Sequence, residues 1–230
     1  MTPRAAMIFA AGMGSRMGEL TRDRPKPLLR VGGRTLLDHA LDLVRDAGVP
    51  RIVVNTHAHA AQIAAHLGRN APEVRVSHEA ERLETGGGLK VALPLLAANP
   101  VITLNADTIW RGSNPLTALA AAWDCGRMEA LLALIPRDAA LGHTGPGDFD
   151  RDPDGRLVRR SGPAAATVYA GAQIIDTRLL DAFAPGPFSL NAVWDRALAR
   201  GRLHGVVWSG SWIDVGRPEG LALAEAELAR

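Results

Sequence analysis

The sequence predicts a single α/β domain with a mixed, mainly parallel central sheet flanked by helices, and three observations carry that reading. Short apolar runs of β type alternate with helical patterns through the first half, the mark of βαβ units and a sheet covered on both faces. The 230 residues are 47% hydrophobic and 22% charged, enough apolar material for one large core and too much for wholesale disorder. No internal repeat or linker divides the chain, and without a hexapeptide array no β-helix domain is expected.

Taken in order, residues 5–10, 52–55, 74–77 and 101–104 read as strands. Leu36, Leu37, Ala40, Leu41, Val44 and Ala47 recur at helical spacing with Gly48 as a stop, and residues 61–67 form an Ala-rich helix. A helix from the Gly86-Gly87-Gly88 cluster to about Leu96 would turn the positive end of its dipole toward an anion. Beyond it come a helix near 116–123, a strand at 130–135 and an irregular Gly/Pro/Asp-rich stretch over 142–155. Strands at 157–160 and 167–175, helices at 177–183 and 190–199, short strands at 205–208 and 212–215, and a closing helix at 218–228 complete the chain.

Charge and cysteine content narrow the chemistry. Cys125 stands alone, so no intrachain disulfide forms, and no His/Cys spacing suits zinc. The net charge of +2 comes with arginines spread along the chain, which favours small anionic substrates over a nucleic acid. The apolar opening is too short for a signal segment or a membrane span, and a cytoplasmic protein is expected. Of 26 basic residues only Lys26 and Lys90 are lysines. Lys90 reads as a chance survivor, whereas Lys26, held between Pro25 and Pro27, reads as a position that needs a compact ammonium.

The most informative segment runs from Ala10 and Ala11 through Gly12, Gly14, Ser15 and Arg16, directly after the first strand, and Lys26 follows. Glycines let the backbone approach a phosphate, successive N–H groups cradle its oxygens, and Arg16 and Lys26 add mobile charge. The spacing is neither a dinucleotide fingerprint nor a P-loop. Asp107 and Asp214 each follow a short apolar strand, where ligands of open α/β sheets collect. Two carboxylates suit Mg²⁺, although an aspartate after a strand is also a common turn former. His57, His59 and His66 read as solvent-facing, and Trp110, Trp123 and Trp194 as packing anchors.

In order along nearly the whole chain, Ala-Ala-Gly-Met-Gly-Ser-Arg-Met from Ala10, Pro25-Lys26-Pro27-Leu28, Leu83-Glu84-Thr85-Gly86-Gly87-Gly88, Asn105-Ala106-Asp107, the run from Gly142 to Phe149, Tyr169-Ala170-Gly171 and Trp212-Ile213-Asp214-Val215-Gly216 resemble the sugar-phosphate nucleotidyltransferase family. The members most similar act on N-acetylmuramate 1-phosphate and UTP in peptidoglycan recycling. The resemblance implies a Rossmann-like nucleotidyltransferase fold, with a nucleotide-binding part over about residues 1–110 and a sugar-binding part over about 111–230. It implies that Gly12, Gly14, Ser15 and Arg16 hold the triphosphate and that Lys26 meets phosphate near the reacting centre. Asp107 and Asp214 would share Mg²⁺. The base would lie over Ala10 and Ala11, against Glu79 and the Thr85-Gly86 turn, where a carboxylate suits an N–H of uracil or guanine. Asn105, Gly147, Asp148 and Gly171 would line the sugar pocket.

Three departures stand out. Glu19 replaces a usual proline, Ala106 replaces a usual glycine and adds a methyl near the expected metal, and residues 159–166 lack the Glu-Lys-Pro pattern of larger relatives. The partners expected are a nucleoside triphosphate and a sugar 1-phosphate, with no nucleic acid and no membrane, in a monomer or small homo-oligomer. Another sugar or base, or a nucleotide sensor without turnover, stays open at this point.

Overall fold

The computed structural model describes residues 2–230. Strand β1 (Ala5–Phe9) lies mid-sheet because every one of its side chains meets apolar neighbours: Ala6 and Ile8 enter one core layer and Ala5 and Met7 the other. The hairpin β2 (Arg30–Val31) and β3 (Arg34–Thr35) leads into α1 (Leu36–Asp46), β4 (Arg51–Thr56), α2 (Ala60–Asn70) and β5 (Arg75–His78). Then come α3 (Glu84–Leu96), β6 (Val101–Asn105), β7 (Thr108–Arg111), α4 (Pro115–Ala122), β8 (Ala130–Pro136) and β9 (Ala140–Leu141). The rest is β10 (Phe149–Arg151), β11 (Leu157–Arg159), β12 (Thr167–Ile175), α5 (Leu190–Ala199), β13 (Leu203–Val207), β14 (Ser211–Asp214) and α6 (Pro218–Leu228).

The main sheet has the order β11-β10-β12-β6-β1-β4-β5, with β8 paired to β12 and β13 to β8. Strands β6, β1, β4 and β5 are parallel, whereas β12 runs antiparallel to both β6 and β8. This is the mixed, mainly parallel sheet the sequence predicts. Helices α1, α2 and α4 cover one face through Leu37, Leu41, Ile63, Leu67, Leu116 and Leu119. Helices α3 and α5 cover the other through Leu89, Leu96, Leu190, Val193 and Trp194. Burying such a Leu or Val side chain contributes roughly 1.5–3 kcal/mol, so the two layers carry most of the stability. A third, smaller cluster of Met17, Leu29, Val31, Leu36, Ile109, Ile213, Val215 and Ala224 joins the hairpin, a small sheet of order β7-β14-β9, and α6.

Several expectations need correction. Residues 177–183 form a 3-10 helix, Thr177–Ala182, because Pro185 and Pro187 follow too soon for a longer helix. The stretch read as irregular contains β10, hidden because Phe149 is its one apolar residue and its order comes from pairing with β11. The glycines of α3 sit inside its first turns rather than ahead of them. Gly171, at φ 85°, falls where the β12–β8 register shifts, so the strand over 167–175 bends there. His59 is exposed, but His57 and His66 are half-buried: the His57 ring donates from Nδ1 to the Glu79 carbonyl, and His66 Nε2 bonds Asp38 Oδ1 at 2.7 Å. Lys90 also has a partner, since its ammonium donates to the Leu180 carbonyl at 2.8 Å and ties α3 to the 3-10 turn.

Helix α1 begins with a reciprocal cap in which Thr35 Oγ1 accepts the Asp38 N–H and Asp38 Oδ2 accepts the Thr35 N–H. Burial pushes the Asp38 carboxyl up, but the bonds from His66 and Thr35 outweigh it and hold the group below its ordinary value. A carboxylate lowered on folding stabilises the protein fully above its unfolded pKa, near pH 4, and that contribution is lost as pH falls through the lower folded value. Asp38→Asn is therefore expected to lose about 1 kcal/mol at pH 7. Thermal melts of both proteins, repeated at acid pH, should show the gap closing.

Candidate active site

The site forms where β1 feeds a loop at the carboxyl edge of the sheet, with β4 and β5 on one side and β6 on the other. This reversal of strand order is where open α/β sheets leave a crevice. A cavity of about 430 Å³ occupies it. Ala11, Gly12, Gly14, Ser15, Arg16, Lys26, Glu79, Thr85 and Asp107 all line it, so nine of the residues singled out in the sequence share one cavity.

The loop is shaped by glycine in two ways. Gly12 has no atom within 4 Å of where a Cβ would stand, leaving its backbone open. Gly14, at φ 65°, lies in the left-handed region, and a Cβ there would come to 3.1 Å from both Lys26 and Thr21. The Gly14 carbonyl accepts from Thr21 Oγ1 at 3.0 Å and from the Met17 N–H at 2.8 Å, which fixes the turn. Ala10 lies beneath the loop, 3% exposed, with its N–H donated to Asn55 Oδ1 at 2.7 Å.

Lys26 is 7% exposed, and its Nζ donates to Asp107 Oδ2 at 2.7 Å. Pro25 and Pro27 restrict the backbone that aims it. Asp214 reaches the same place from β14, which pairs with β7 so that Asp214 faces Thr108 and the Val215 N–H donates to the Asp107 carbonyl. Burial pushes the Asp214 carboxyl above its ordinary value, and the Asp107 charge pushes the same way; Lys26, the Gly216 N–H and Arg16 draw it partly back. Side chains at Gly142, Gly216 or Gly220 would collide with Asp214, so three glycines make room for it.

Among the described residues no group of three or more His, Cys, Asp or Glu side chains gathers as a metal site. The two mutually repelling carboxylates nonetheless fit Mg²⁺, which accepts one or two carboxylates and fills its shell with water and phosphate oxygens. Ala106 does not intrude: it is 1% exposed and its methyl packs in the core.

The other residues fall into place differently. Glu79 is 2% exposed; Oε1 accepts from Asn55 Nδ2 at 2.7 Å and Oε2 from the Leu83 N–H at 3.2 Å. Thr85 Oγ1 accepts the Leu190 N–H, and the Gly86 and Gly87 N–H groups both donate to the Phe188 carbonyl. The three glycines of α3 are thus packing positions, with Gly86 against Phe188, Gly87 against the Gly186 carbonyl and Gly88 against Glu79. The N–H groups of Gly86 and Gly87 are committed to the Phe188 carbonyl, so an anion at this helix end would have to meet other N–H groups of its first turn.

The four residues read as sugar ligands stand apart from this cavity. Asn105 closes β6 and packs on Gly171, where a Cβ would lie 2.9 Å from Asn105 Nδ2. Gly147, at φ 85°, lies against the Ala165 carbonyl, and Asp148 Oδ2 accepts the Tyr169 N–H at 2.8 Å. Nearby the Tyr169 hydroxyl is buried with no hydrogen-bond partner among the described residues, and burial raises its pKa. The cavity also includes Phe9, Asn55, Arg82 and Ser189, which the sequence did not single out, and Glu84 and Gly216, which it quoted within motifs without a role. Asn55 carried a usable signal, a polar residue ending an apolar strand as Asn105 does. Glu84 sits at φ 59°, a conformation that costs a residue with a side chain about 1–2 kcal/mol.

A family model for the MobA-like NTP transferase domain matches residues 6–144. The N-acetylmuramate alpha-1-phosphate uridylyltransferase of Caulobacter vibrioides is 43% identical over 99% of this chain and 98% of that protein. The protein of the same name from Neisseria meningitidis serogroup B is 32% identical over 92% of each chain. Among solved structures, HddC from Yersinia pseudotuberculosis complexed with GMP-PN gives a TM-score of 0.80, covering 99% of this chain and 100% of that one, at 23% identity. That likeness concerns the fold.

Gly87→Ala offers a check on the cap of α3. Its new methyl would meet the Gly186 carbonyl, a backbone atom that cannot swing aside, and the variant is expected to lose about 1–3 kcal/mol. A thermal melt measures this directly.

Proposed function

Because this chain belongs to the MobA-like NTP transferase family and is a sugar 1-phosphate nucleotidyltransferase, we propose that it condenses N-acetylmuramate 1-phosphate with UTP, giving UDP-N-acetylmuramate and pyrophosphate. The observation that carries the chemistry is the meeting of the Lys26 ammonium with Asp107, beside Asp214, at the mouth of the glycine loop. The choice of sugar and base is supported by the names of the two whole-length relatives, and a place in peptidoglycan recycling in the cytoplasm is part of the same proposal.

In this reading the backbone of Gly12, Gly14 and Ser15, with Arg16, holds the triphosphate. Lys26, aimed by two prolines and steadied by Asp107, meets the oxygens of the α-phosphate. Asn105, Gly147, Asp148 and Gly171 orient the sugar so that its phosphate oxygen attacks the α-phosphorus in line with the leaving pyrophosphate. Residues 1–110 then serve the nucleotide and 111–230 the sugar. Mg²⁺, held by Asp107 and Asp214, would supply charge neutralisation on the phosphates. No protein nucleophile takes part, and the rate comes from positioning and electrostatics.

Asp107→Asn and Asp214→Asn are each expected to abolish Mg²⁺-dependent pyrophosphate release, as is chelation of the metal, while circular dichroism stays unchanged. Near wild-type turnover in either variant would return that aspartate to a turn-forming role. Crossing the common triphosphates with a panel of sugar 1-phosphates should give the highest kcat/KM for UTP with N-acetylmuramate 1-phosphate. A preference for glucose or mannose 1-phosphate overturns the substrate and spares the chemistry.

Lys26→Arg should lose about 10²–10³-fold in kcat, since a planar guanidinium cannot replace the compact ammonium at Asp107. Lys90→Arg should leave kcat intact and touch only the melting temperature. Equal, mild kinetic losses at both positions would show that Lys26 supplies charge alone.

A further inference from the structure

Arginines that lie far apart in the sequence are gathered by the fold. A second cavity, of about 390 Å³ and sharing no lining residue with the first, opens where the β2–β3 hairpin meets α1 and α2. Arg30 and Arg34 reach it from the hairpin, Arg45 from α1 and Arg69 from α2. Positions 38, 42 and 45 follow one stripe of α1, as 66, 69 and 70 do on α2, so two polar helix faces confront each other. Asn70 Nδ2 donates to His66 Nδ1 at 3.2 Å, which leaves His66 Nε2 to donate to Asp38 Oδ1 at 2.7 Å and tie the helices together. Asp38 is the one carboxylate of the lining, and it is shared between His66 and the cap of α1.

Charge decides what such a cavity holds. Four guanidinium groups against one carboxylate leave the lining at +3 with His66 neutral. Asp42 and Glu73, outside the lining, pair with Arg34 and Arg45 and bring the local sum to +1. Neither pairing uses up its arginine: Arg34 gives Asp42 one Nη, while Arg45 turns Nε and one Nη to Glu73 and its other Nη only approaches Asp42, at 3.9 Å. Arg30 donates to the Gly33 carbonyl alone, and Arg69 is exposed and, among the described residues, enters no hydrogen bond or ion pair. Each guanidinium carries five N–H donors. Unspent donors of four side chains thus meet in one concavity while their like charges repel. A phosphate group answers both conditions, since its oxygens accept from forked donors and its charge relieves the repulsion.

We propose that this cavity is a second anion site, in which the four guanidinium groups bind a small phosphate-bearing anion of about the size of pyrophosphate. It lies apart from the site of the proposed reaction and does not depend on that reading. Two sources share the chemistry: a free inorganic anion, and the phosphoryl end of an organic metabolite.

The other role open to these arginines is a solvated face held by ion pairs to Asp42 and Glu73. Labelling of the intact protein with phenylglyoxal, read arginine by arginine by peptide mass spectrometry, separates the two roles. The reaction is run with a chelator, at one ionic strength set with sodium chloride. At ten times its Kd, pyrophosphate should slow labelling of Arg69 and Arg30 about tenfold, because only the free site reacts. Arg16 reports the first cavity in the same samples. Arg69→Gln should raise the pyrophosphate concentration that protects Arg30 about tenfold while kcat and the melting temperature without anion stay unchanged. A parallel arm with glycerol 3-phosphate distinguishes the sources, the anion that protects at lower concentration marking its own. Protection of Arg16 alone overturns the proposal, as does equal slowing by sodium chloride. Protection of Arg30 that Arg69→Gln leaves unchanged overturns it too, and each of these results leaves the nucleotidyltransferase reading standing.

Discussion

The cavity depends on one buried chain of hydrogen bonds. Asn55 accepts the Ala10 N–H and donates to Glu79, which in turn accepts the Leu83 N–H. The ends of β1 and β4, the residue after β5 and the approach to α3 are thereby fixed to one another. Asn55 and Glu79 are 3% and 2% exposed, so a charged group has been taken out of water to achieve this. Such burial is tolerable because both carboxylate oxygens receive donors, and removing any link would leave a buried polar atom alone. The brace determines where the glycine loop leaves the sheet, and so where a phosphate could lie.

On the opposite side of the loop the constraint is charge. Asp107, in the turn between β6 and β7, and Asp214, at the end of β14, are brought together by the β7–β14 pairing, and their mutual repulsion is only partly answered by Lys26. Three glycines give up side chains to admit Asp214. A site at which two carboxylates and an ammonium crowd one cavity edge is poised to gain free energy from a divalent cation and a triphosphate together, which is the economy of the proposed reaction.

Much of the fold was legible because its parallel strands are apolar on both faces. β12, α5 and α6 follow the bounds their patterns imply. What escaped was structure that depends on a distant partner: β7, β9 and β10 are short and gain their order from pairing. The candidate site divides in the same way. Strand–glycine–arginine order and the proline-flanked Lys26 are local signals, and the residues that carry them share one cavity. The packing duty of Gly86 and Gly87 could not be foreseen, because it is set by residues 186–188, about a hundred positions away. Nor does any local pattern reveal that Glu79 is enclosed while Glu84 is open.

The smallest of the three cores has a dynamic corollary. Met17 from the turn after the glycine loop, Val31 from the hairpin, Ile213 and Val215 beside Asp214, and Ala224 from α6 share it, and Glu225 accepts the Gly32 N–H at 2.9 Å. A cluster of so few side chains cannot lose one contributor and hold the rest, so its members form a single cooperative opening unit. Amide protons of α6, the β2–β3 hairpin and the turn below Arg16 are then expected to exchange together, and more readily than those of β1 and β6. The closing helix is in this sense a thermodynamic part of the glycine loop, and what loosens one end of the chain is felt where the phosphates are proposed to bind.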